Sequence, residues 1–340
     1  MTIKIEDFGS YQGEPVRLFS LKNSKNTLVK ISNYGCRIVS FLVEGDREIV
    51  LGYDDLDSYL GDKNFFGAVV GPYANRVEGG TYRLDNRVYR LEKNEAENSL
   101  HSGSRGFQNR LWNYRLLGDS LVLWLECQDG EDGFGGNRVF QVIYSLQEDN
   151  SLEIEYRART SGPTIINLTN HVYFNLNEDH GQDILNHKIS VAASYFTPID
   201  RDFIPTGEIR PVEDFVDLRE ARLIAEILGT NREELRASSG LDHNYIIDGK
   251  AGELTYFASV ENQDIRLRAY TSMPGVQVYT GNNIGGATRG RDNMRYKKHS
   301  GLCLETQFFP NSINTPGFSN TVLREGRIFK SKTIYRPEKI

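Results

Sequence analysis

Short stretches in which apolar and polar residues alternate recur along the whole chain. A period of two is typical of strands that bury one face, and the turn residues Asp85-Asn86 and Asp149-Asn150 separate such stretches. Many short strands with few helical patterns predict an all-β sandwich or barrel. The strands predicted in this way are 16–21, 28–32, 38–43, 81–91, 121–126, 138–146, 152–160, 188–193, 254–260, 265–271, 276–280, 302–307 and 327–336.

One segment has helical spacing instead. Asp217 is a candidate N-cap, Glu220 follows at the distance of a capping box, and Gly229 is a candidate end. We expect a helical insertion within 208–239 that serves packing. The chain shows no repeat or linker, so one domain over residues 1–340 is expected. The apolar positions that share the helical face are Leu218, Ala221, Ile224, Ala225 and Leu228.

The segment Asn167–Asn175 has the β-formers of a strand but carries an unusual number of amides around His171. Buried polar groups need partners, so this is not the pattern of a plain core strand. A satisfied core histidine or a sheet edge is the ordinary interpretation. The alternative is that the amides orient one ring nitrogen and leave the other free for proton transfer.

Composition narrows the possible functions. The 340 residues are 39% hydrophobic and 25% charged, as in a globular chain, and the net charge of −6 argues against a nucleic-acid partner. No apolar run reaches the roughly 20 residues that span a bilayer, and the N-terminus has no signal-peptide core. Three widely spaced cysteines indicate buried thiols in a reducing compartment. We therefore expect a cytoplasmic protein.

Five further segments are richer in polar groups than a fold requires. Taken singly, four of them are typical of solvated loops. The fifth places Glu305 in an apolar strand pattern, where desolvation would raise its pKa toward that of a useful general base. Simple alternation to the outer face of the strand explains the pattern as well. The five segments are 71–76, 98–112, 240–244, 273–282 and 302–310.

Other chemistries fit the residues less well. Asp242-His243 with His101 and His171 resembles a metal-ligand set, but the chain lacks H-E-x-x-H or comparable spacing, so no metal is expected. No G-x-S-x-G elbow or nucleotide-binding glycine motif is present. A retaining glycosidase built on Glu305 and Asp242 would not need the two histidines.

Taken together and in order, these motifs resemble those of the aldose 1-epimerase (galactose mutarotase) family. The resemblance covers nearly the whole chain, and its strength lies in six matches in the family's order. Ser102, Asn311 and Gly135 depart from the family pattern, which puts fine specificity in doubt more than activity. The matching segments are 74–77, 98–107, 167–175, 242–244, 274–282 and 304–307.

The resemblance implies a large antiparallel β-sandwich of the galactose mutarotase type, with few short helices and an open sugar cleft on one sheet. It implies an isomerase that interconverts the α and β anomers of free aldoses such as glucose and galactose. Glu305 is implied as the general base and His171 as the general acid, with no cofactor. The positions implied to hold the sugar are Asn75, Arg76, His101, Asp242 and Gln277.

Two alternatives remain open. A non-catalytic carbohydrate-binding sandwich would bind sugar without exchanging anomers. A hexose-6-phosphate 1-epimerase would need a basic cluster at the cleft, and the basic residues of 289–298 are the candidates for it. The partner expected in every case is a small monosaccharide, with no membrane, and the chain is expected to be a monomer or a homodimer. The preferred aldose is not predicted.

Overall fold

The computed structural model describes residues 2–230 and 232–340, and β-strands dominate it. The strands are β1 Thr2–Tyr11, β2 Glu14–Lys22, β3 Leu28–Ser32, β4 Ile38–Val43, β5 Arg47–Glu48, β6 Val69–Val70, β7 Arg76–Val77, β8 Thr81–Leu84, β9 Arg87–Arg90, β10 Ser99–Leu100, β11 Asn113–Leu117, β12 Ser120–Cys127, β13 Arg138–Leu146 and β14 Leu152–Thr160. They continue with β15 Thr164–Ile165, β16 Thr169–Asn170, β17 Tyr173–Phe174, β18 Lys188–Val191, β19 Tyr195–Thr197, β20 Arg210–Pro211, β21 Arg222–Leu223, β22 Asp242–Ile246, β23 Thr255–Glu261, β24 Ile265–Thr271, β25 Gly275–Tyr279, β26 Leu302–Gln307, β27 Val322–Leu323 and β28 Phe329–Lys339. Three short helices are found in the described ranges, α1 Leu56–Leu60, α2 Ile224–Leu228 and α3 Glu233–Ala237.

Two large antiparallel sheets face each other across the core. One has nine strands in the order β11-β12-β13-β14-β28-β24-β23-β18-β21, and the other has six in the order β17-β26-β25-β22-β19-β20. Burial alternates strictly along β13, as period-two patterning requires. Tyr335 in β28 donates to the carbonyl oxygen of Leu304 in β26 over 2.8 Å, which ties the two layers together. The predicted all-β sandwich with few short helices is confirmed.

Several predicted strands match the structure, but the predicted strand at 81–91 is a hairpin. β8 and β9 are joined by Asp85 and Asn86, which have φ angles of 46° and 63°. Two successive positive φ angles are typical of the tight turn whose twist matches antiparallel strands. The turn residues Asp85-Asn86, recognised in the sequence, therefore divide the single strand that the apolar pattern predicted into two.

The predicted helix from Asp217 to Gly229 is wrong over its first half. Residues 222–223 form β21, which pairs with Lys188 and Ile189, and only Ile224–Leu228 is helical. The carboxylate of Asp217 accepts hydrogen bonds from Arg219 and caps no helix. Pairing with the large sheet outweighs the weak local preference for a helix in this segment.

The segment Asn167–Asn175, predicted as a strand, contains only the two-residue strands β16 and β17, and His171 lies between them. Its asparagine side chains form hydrogen bonds with several distant parts of the chain. Asn167 bonds to the backbone at Ala74 and Phe308, whereas Asn170 bonds to the hydroxyls of two core tyrosines. The amides hold this segment in place and do not orient the imidazole.

Candidate active site

Strand register places the acidic residues on one face of the six-stranded sheet. Glu305 in β26 lies opposite Gln277 in β25, and Tyr279 in β25 lies between Cys303 and Asp242. Because side chains alternate along a strand, all of these residues point to the same side. Glu305 therefore does lie on the same face of the strand as Cys303, as simple alternation predicts, but this face lines a cleft, and Glu305 is only 2% exposed.

Short strands and turns bring the remaining groups over this sheet. β7 and β10 pair with each other, and Asn75 and His101, which flank them, both have positive φ angles. The backbone N–H of Asn75 donates to Nδ1 of His101 over 3.1 Å. Since Nδ1 accepts, the ring proton of neutral His101 sits on Nε2, which is left as a donor.

The resulting cleft has a volume of about 520 Å³, counting the solvent at its open mouth. Six of the seven predicted site residues line it, and Gln277 reaches it indirectly, through a 2.6 Å hydrogen bond that its amide donates to Asp242. The residues that line the cleft are Lys63, Asn64, Phe65, Asn75, Arg76, Glu95, Leu100, His101, His171, Tyr173, Asp242, Tyr279, Asn283 and Glu305.

His171 and Glu305, the two residues predicted to transfer protons, lie next to each other in the cleft. Nε2 of His171 lies 3.7 Å from Oε1 of Glu305, and both side chains are almost fully buried. Burial raises the pKa of Glu305 well above its ordinary value, and the nearby Asp242 raises it further, while Arg76 opposes this shift. Burial lowers the pKa of His171 to about 3. Near neutral pH the pair therefore carries one proton between its two members.

Cys303 fixes the orientation of His171. Its Sγ lies 3.5 Å from Nδ1 of the imidazole. Burial raises the pKa of this thiol well above its usual value, so the sulfur keeps its proton and pairs with Nδ1 as a neutral group. When Nδ1–H donates to the sulfur, Nε2 is free to take and give a proton on the side of Glu305. No pattern in the sequence indicates this contact.

Two polar atoms near the floor of the cleft are left without partners. Oε2 of Glu305 and Oε1 of Gln277 are buried and accept no hydrogen bond from any described residue. A buried polar atom without a partner costs about 1–3 kcal/mol. A bound molecule with hydroxyl donors would remove that cost, so the site is suited to a polyol.

A metal ion fits these residues poorly. Ligand atoms of His101, His171 and Glu305 do lie within 4.8 Å of one another. However, Nδ1 of His101 accepts from the backbone N–H of Asn75, so Nε2 of that ring is protonated and offers no lone pair. His243, once grouped with them, packs its ring against Phe215 outside the cleft.

Phe65 and Glu95 line the cleft and were missed in the sequence. The ring of Phe65 lies 4.9 Å from that of His101 and 5.6 Å from that of His171, centroid to centroid. Glu95 forms an ion pair with Arg76, with distances of 2.6 and 2.8 Å. Neither residue belongs to a recognisable pattern. Tyr173 and Tyr279 also line the cleft, whereas Trp112 lies in the core.

None of the helices in ranges 2–230 and 232–340 has the length and apolar character needed to cross a bilayer. The three cysteines are unpaired and buried.

Comparison with known proteins agrees with this geometry. The family model described as aldose 1-epimerase matches residues 17–336. A galactose mutarotase of Bos taurus is 38% identical over 329 residues, covering 94% of each chain. An aldose 1-epimerase of Escherichia coli K12 is 35% identical over 335 residues, covering 95% of this chain and 96% of that one. The crystal structure of a galactose 1-epimerase from Lactobacillus acidophilus covers 99% of both chains with a TM-score of 0.88 at 24% identity, which supports the fold.

Proposed function

The chain belongs to the aldose 1-epimerase family, and from that premise we propose that it interconverts the α and β anomers of free aldoses such as glucose and galactose. The observation that carries the proposal is the contact between His171 and Glu305, at 3.7 Å, in a cleft lined by polar side chains. Opening a hemiacetal requires one proton to leave the anomeric hydroxyl and one to reach the ring oxygen. A carboxylate beside an imidazole meets both needs, and no cofactor is called for.

In the proposed reaction Glu305 is the general base and His171 is the general acid. Glu305 removes the proton of the anomeric hydroxyl while Nε2 of His171 gives one to the ring oxygen. The bond between C1 and the ring oxygen breaks, and the carbonyl of the open chain forms. Rotation about C1–C2 followed by the reverse transfers closes the other anomer, so both residues return to their starting states. Such groups each contribute roughly 10²- to 10⁴-fold to the rate.

The roles require the single proton of the pair to sit on His171 before the ring opens. Burial favours the neutral arrangement, with the proton on Glu305, whereas Arg76 favours the carboxylate. Hydrogen bonds to a charged form stabilise that form. A sugar hydroxyl that donates to Glu305 and a ring oxygen that accepts from His171 therefore favour the reactive arrangement. Sugar binding thus prepares the acid–base pair.

The remaining predicted residues position the sugar. His101 offers Nε2–H as a donor because its other ring nitrogen is occupied by Asn75. Asp242 accepts from sugar hydroxyls with the oxygen that Gln277 does not occupy, and Arg76 donates. Burial, followed by the field of the neighbouring His171, lowers the pKa of His101 well below its ordinary value, so it acts as a neutral donor.

The cleft offers a hexose 6-phosphate no excess of basic side chains. Its two cations, Lys63 and Arg76, are balanced by the carboxylates of Glu95 and Asp242, because the His171–Glu305 pair with its one proton carries no net charge. None of the basic residues of the segment 289–298 lines it. Two of them form ion pairs elsewhere: Arg291 lies 3.1 Å from Glu48 and Lys297 lies 3.4 Å from Asp183. The basic cluster that a phosphate would need is therefore not at this site.

The proposal extends to the whole chain. It takes residues 1–340 as one domain that works in the cytoplasm, as a monomer or a homodimer. The three buried, unpaired thiols suit a reducing compartment.

Anomer exchange across several sugars tests the function directly. We expect the protein to accelerate mutarotation of fresh α-glucose and α-galactose, followed by polarimetry, and to act much more weakly on glucose 6-phosphate. Calorimetry on the same sugars measures binding. Sugar binding without accelerated exchange would identify a binding module, and a preference for the phosphate would identify the alternative epimerase.

A further inference from the structure

Glu95 lies in the loop that joins β9 to β10 and binds Arg76, the arginine that lines the cleft. Its two carboxylate oxygens accept from Nε and Nη2 of Arg76, at 2.6 and 2.8 Å. The side chain of Glu95 is 38% exposed, while that of Arg76 is 10% exposed. The pair therefore lies at the boundary between the cleft and the solvent.

Arg76 is restrained on more than one side. Its guanidinium carbon lies 5.0 Å from the ring centroid of Phe203, so one face of the guanidinium is covered. The negative charges of Asp242, Glu95 and Glu305 raise its pKa, although burial opposes them. The two nitrogens bound to Glu95 form the edge with which arginine usually binds a carboxylate or a phosphate in a bidentate manner.

Resting on the proposed function, we propose that Glu95 is a specificity-determining residue that excludes anionic aldoses from the cleft. It occupies the bidentate edge of Arg76 that would otherwise bind the carboxylate of a uronic acid or the phosphate of a sugar phosphate. It also adds a negative charge beside that of Asp242. Neutral aldoses, which need only single hydrogen bonds from Arg76, are not excluded.

The charge effect alone is measurable. Two unit charges about 8 Å apart, in a medium of effective dielectric about 20 to 40, change relative binding by roughly 5- to 30-fold. Because Glu95 is partly exposed, salt weakens this contribution. A purely structural role of Glu95 would not produce a dependence of sugar selectivity on salt.

The test compares glucose with glucuronate, which share ring configuration and differ in a CH₂OH or carboxylate group at C6. Exchange NMR between the anomeric protons measures kcat/KM for both sugars without isolating an anomer. We expect the ratio for glucose over glucuronate to fall roughly 5- to 30-fold in Glu95→Gln at low salt. We expect the fall to shrink at high salt.

Glu97→Gln is the matched control. Glu97 lies two residues away and pairs with Lys93 in solvent, with an 84% exposed side chain, and it does not line the cleft. The Glu97→Gln substitution should leave the glucose-over-glucuronate ratio unchanged. If Glu95→Gln fails to fold, the wild-type protein still provides a test: its ratio of kcat/KM for glucose over glucuronate must fall as salt is raised.

The two proposals fail in different ways. A wild-type protein that exchanges the anomers of no aldose overturns the proposed function. A protein active on glucose whose ratio is the same in Glu95→Gln overturns the inference, as does an equal loss on both sugars, which would make Glu95 only a support for Arg76. A wild-type ratio that does not respond to salt also overturns it.

Discussion

Glu305 and His171 illustrate how burial changes the chemistry of ordinary side chains. In water a glutamic acid and an imidazole of ordinary pKa would hold their shared proton on the imidazole. In this cleft, burial moves the two pKa values in opposite directions, toward the neutral forms. The proton is thereby kept within reach of both groups, which is what a reversible ring opening requires.

Replacement of His171 by asparagine separates proton transfer from sugar binding. We expect His171→Asn to lower turnover at saturating sugar by about 10²- to 10⁴-fold, because the general acid is lost, and to change sugar affinity much less. Polarimetry and calorimetry measure the two quantities. His299→Asn is the control, since His299 lies outside the cleft and its φ of 64° suits asparagine. Weaker binding with unchanged turnover would make His171 a positioning residue.

The pH dependence follows from the pair's single proton. We expect kcat/KM to stay level as pH falls through 6.5, because a second proton is taken up only near the pKa of His171, about 3. Activity should fall at alkaline pH as the pair loses its proton at the raised pKa of Glu305. Asp242→Asn should move this alkaline limb to lower pH, since Asp242 raises the pKa of Glu305. An acid limb near pH 6.5 would contradict these shifts.

Some site residues were visible in the sequence and others were not. Glu305 and His171 stood out because a carboxylate and an imidazole interrupt runs of β-forming residues. The family resemblance supplied the positions implied to hold the sugar. Cys303, Phe65 and Glu95 gave no signal, because each owes its place to a tertiary contact that no local sequence pattern shows. Cys303, for instance, meets a histidine 132 residues earlier.

At the scale of elements, the site depends on the register of β22, β25 and β26. A shift of one residue would turn Glu305 away from the cleft and into the core between the sheets. The alternating pattern predicted that 302–307 is a strand, but it did not show which face of the strand lies against other parts of the protein. Glu305 therefore could not be assigned to the solvent or to a cleft. The contact between Thr306 of β26 and Thr333 of β28 decides it, because it places the opposite face of β26 against the nine-stranded sheet.

The segment 62–66 is the other element on which the cleft depends. Asp62 accepts from Arg37 over 2.8 Å and from the backbone N–H groups of Asn64 and Phe66. Gly67 follows with a φ of 66°, where a Cβ would lie 2.0 Å from the carbonyl oxygen of Ile38. The buried ion pair and this close approach fix the loop that carries Phe65 over the two histidines.

Removal of one charge from this pair should be costly. Both side chains of the Arg37–Asp62 pair are fully buried, so Asp62→Asn leaves a buried guanidinium without its counter-charge. We expect the free energy of unfolding to fall by about 3–5 kcal/mol, measured by denaturant titration. Asp85→Asn is the matched control, because Asp85 pairs with Arg324 at the surface, where solvent screens the interaction, and its loss should cost much less. Equal costs would contradict the assigned role of burial.

At the scale of the whole molecule, the fold class followed from period-two patterning and from the family resemblance, and both are confirmed. The pattern did not show which strands pair, since pairs such as β14 with β28 join segments far apart in the chain. Nor did it show that α2 would be short, because the strand before it pairs with β18. Long-range contacts decided the points that local patterns left open. One domain over residues 1–340 remains a prediction.

The two sheets hold Glu305 and His171 at one cleft, and their shared proton chemistry is the central claim. Exchange NMR of saturating galactose with wild type and Glu305→Gln tests it most directly, since the amide keeps the shape but cannot accept the proton. The prediction is a fall in the exchange rate of about 10²-fold or more, with sugar still bound and the fold intact. A variant that exchanges anomers at nearly the wild-type rate would contradict the role of Glu305.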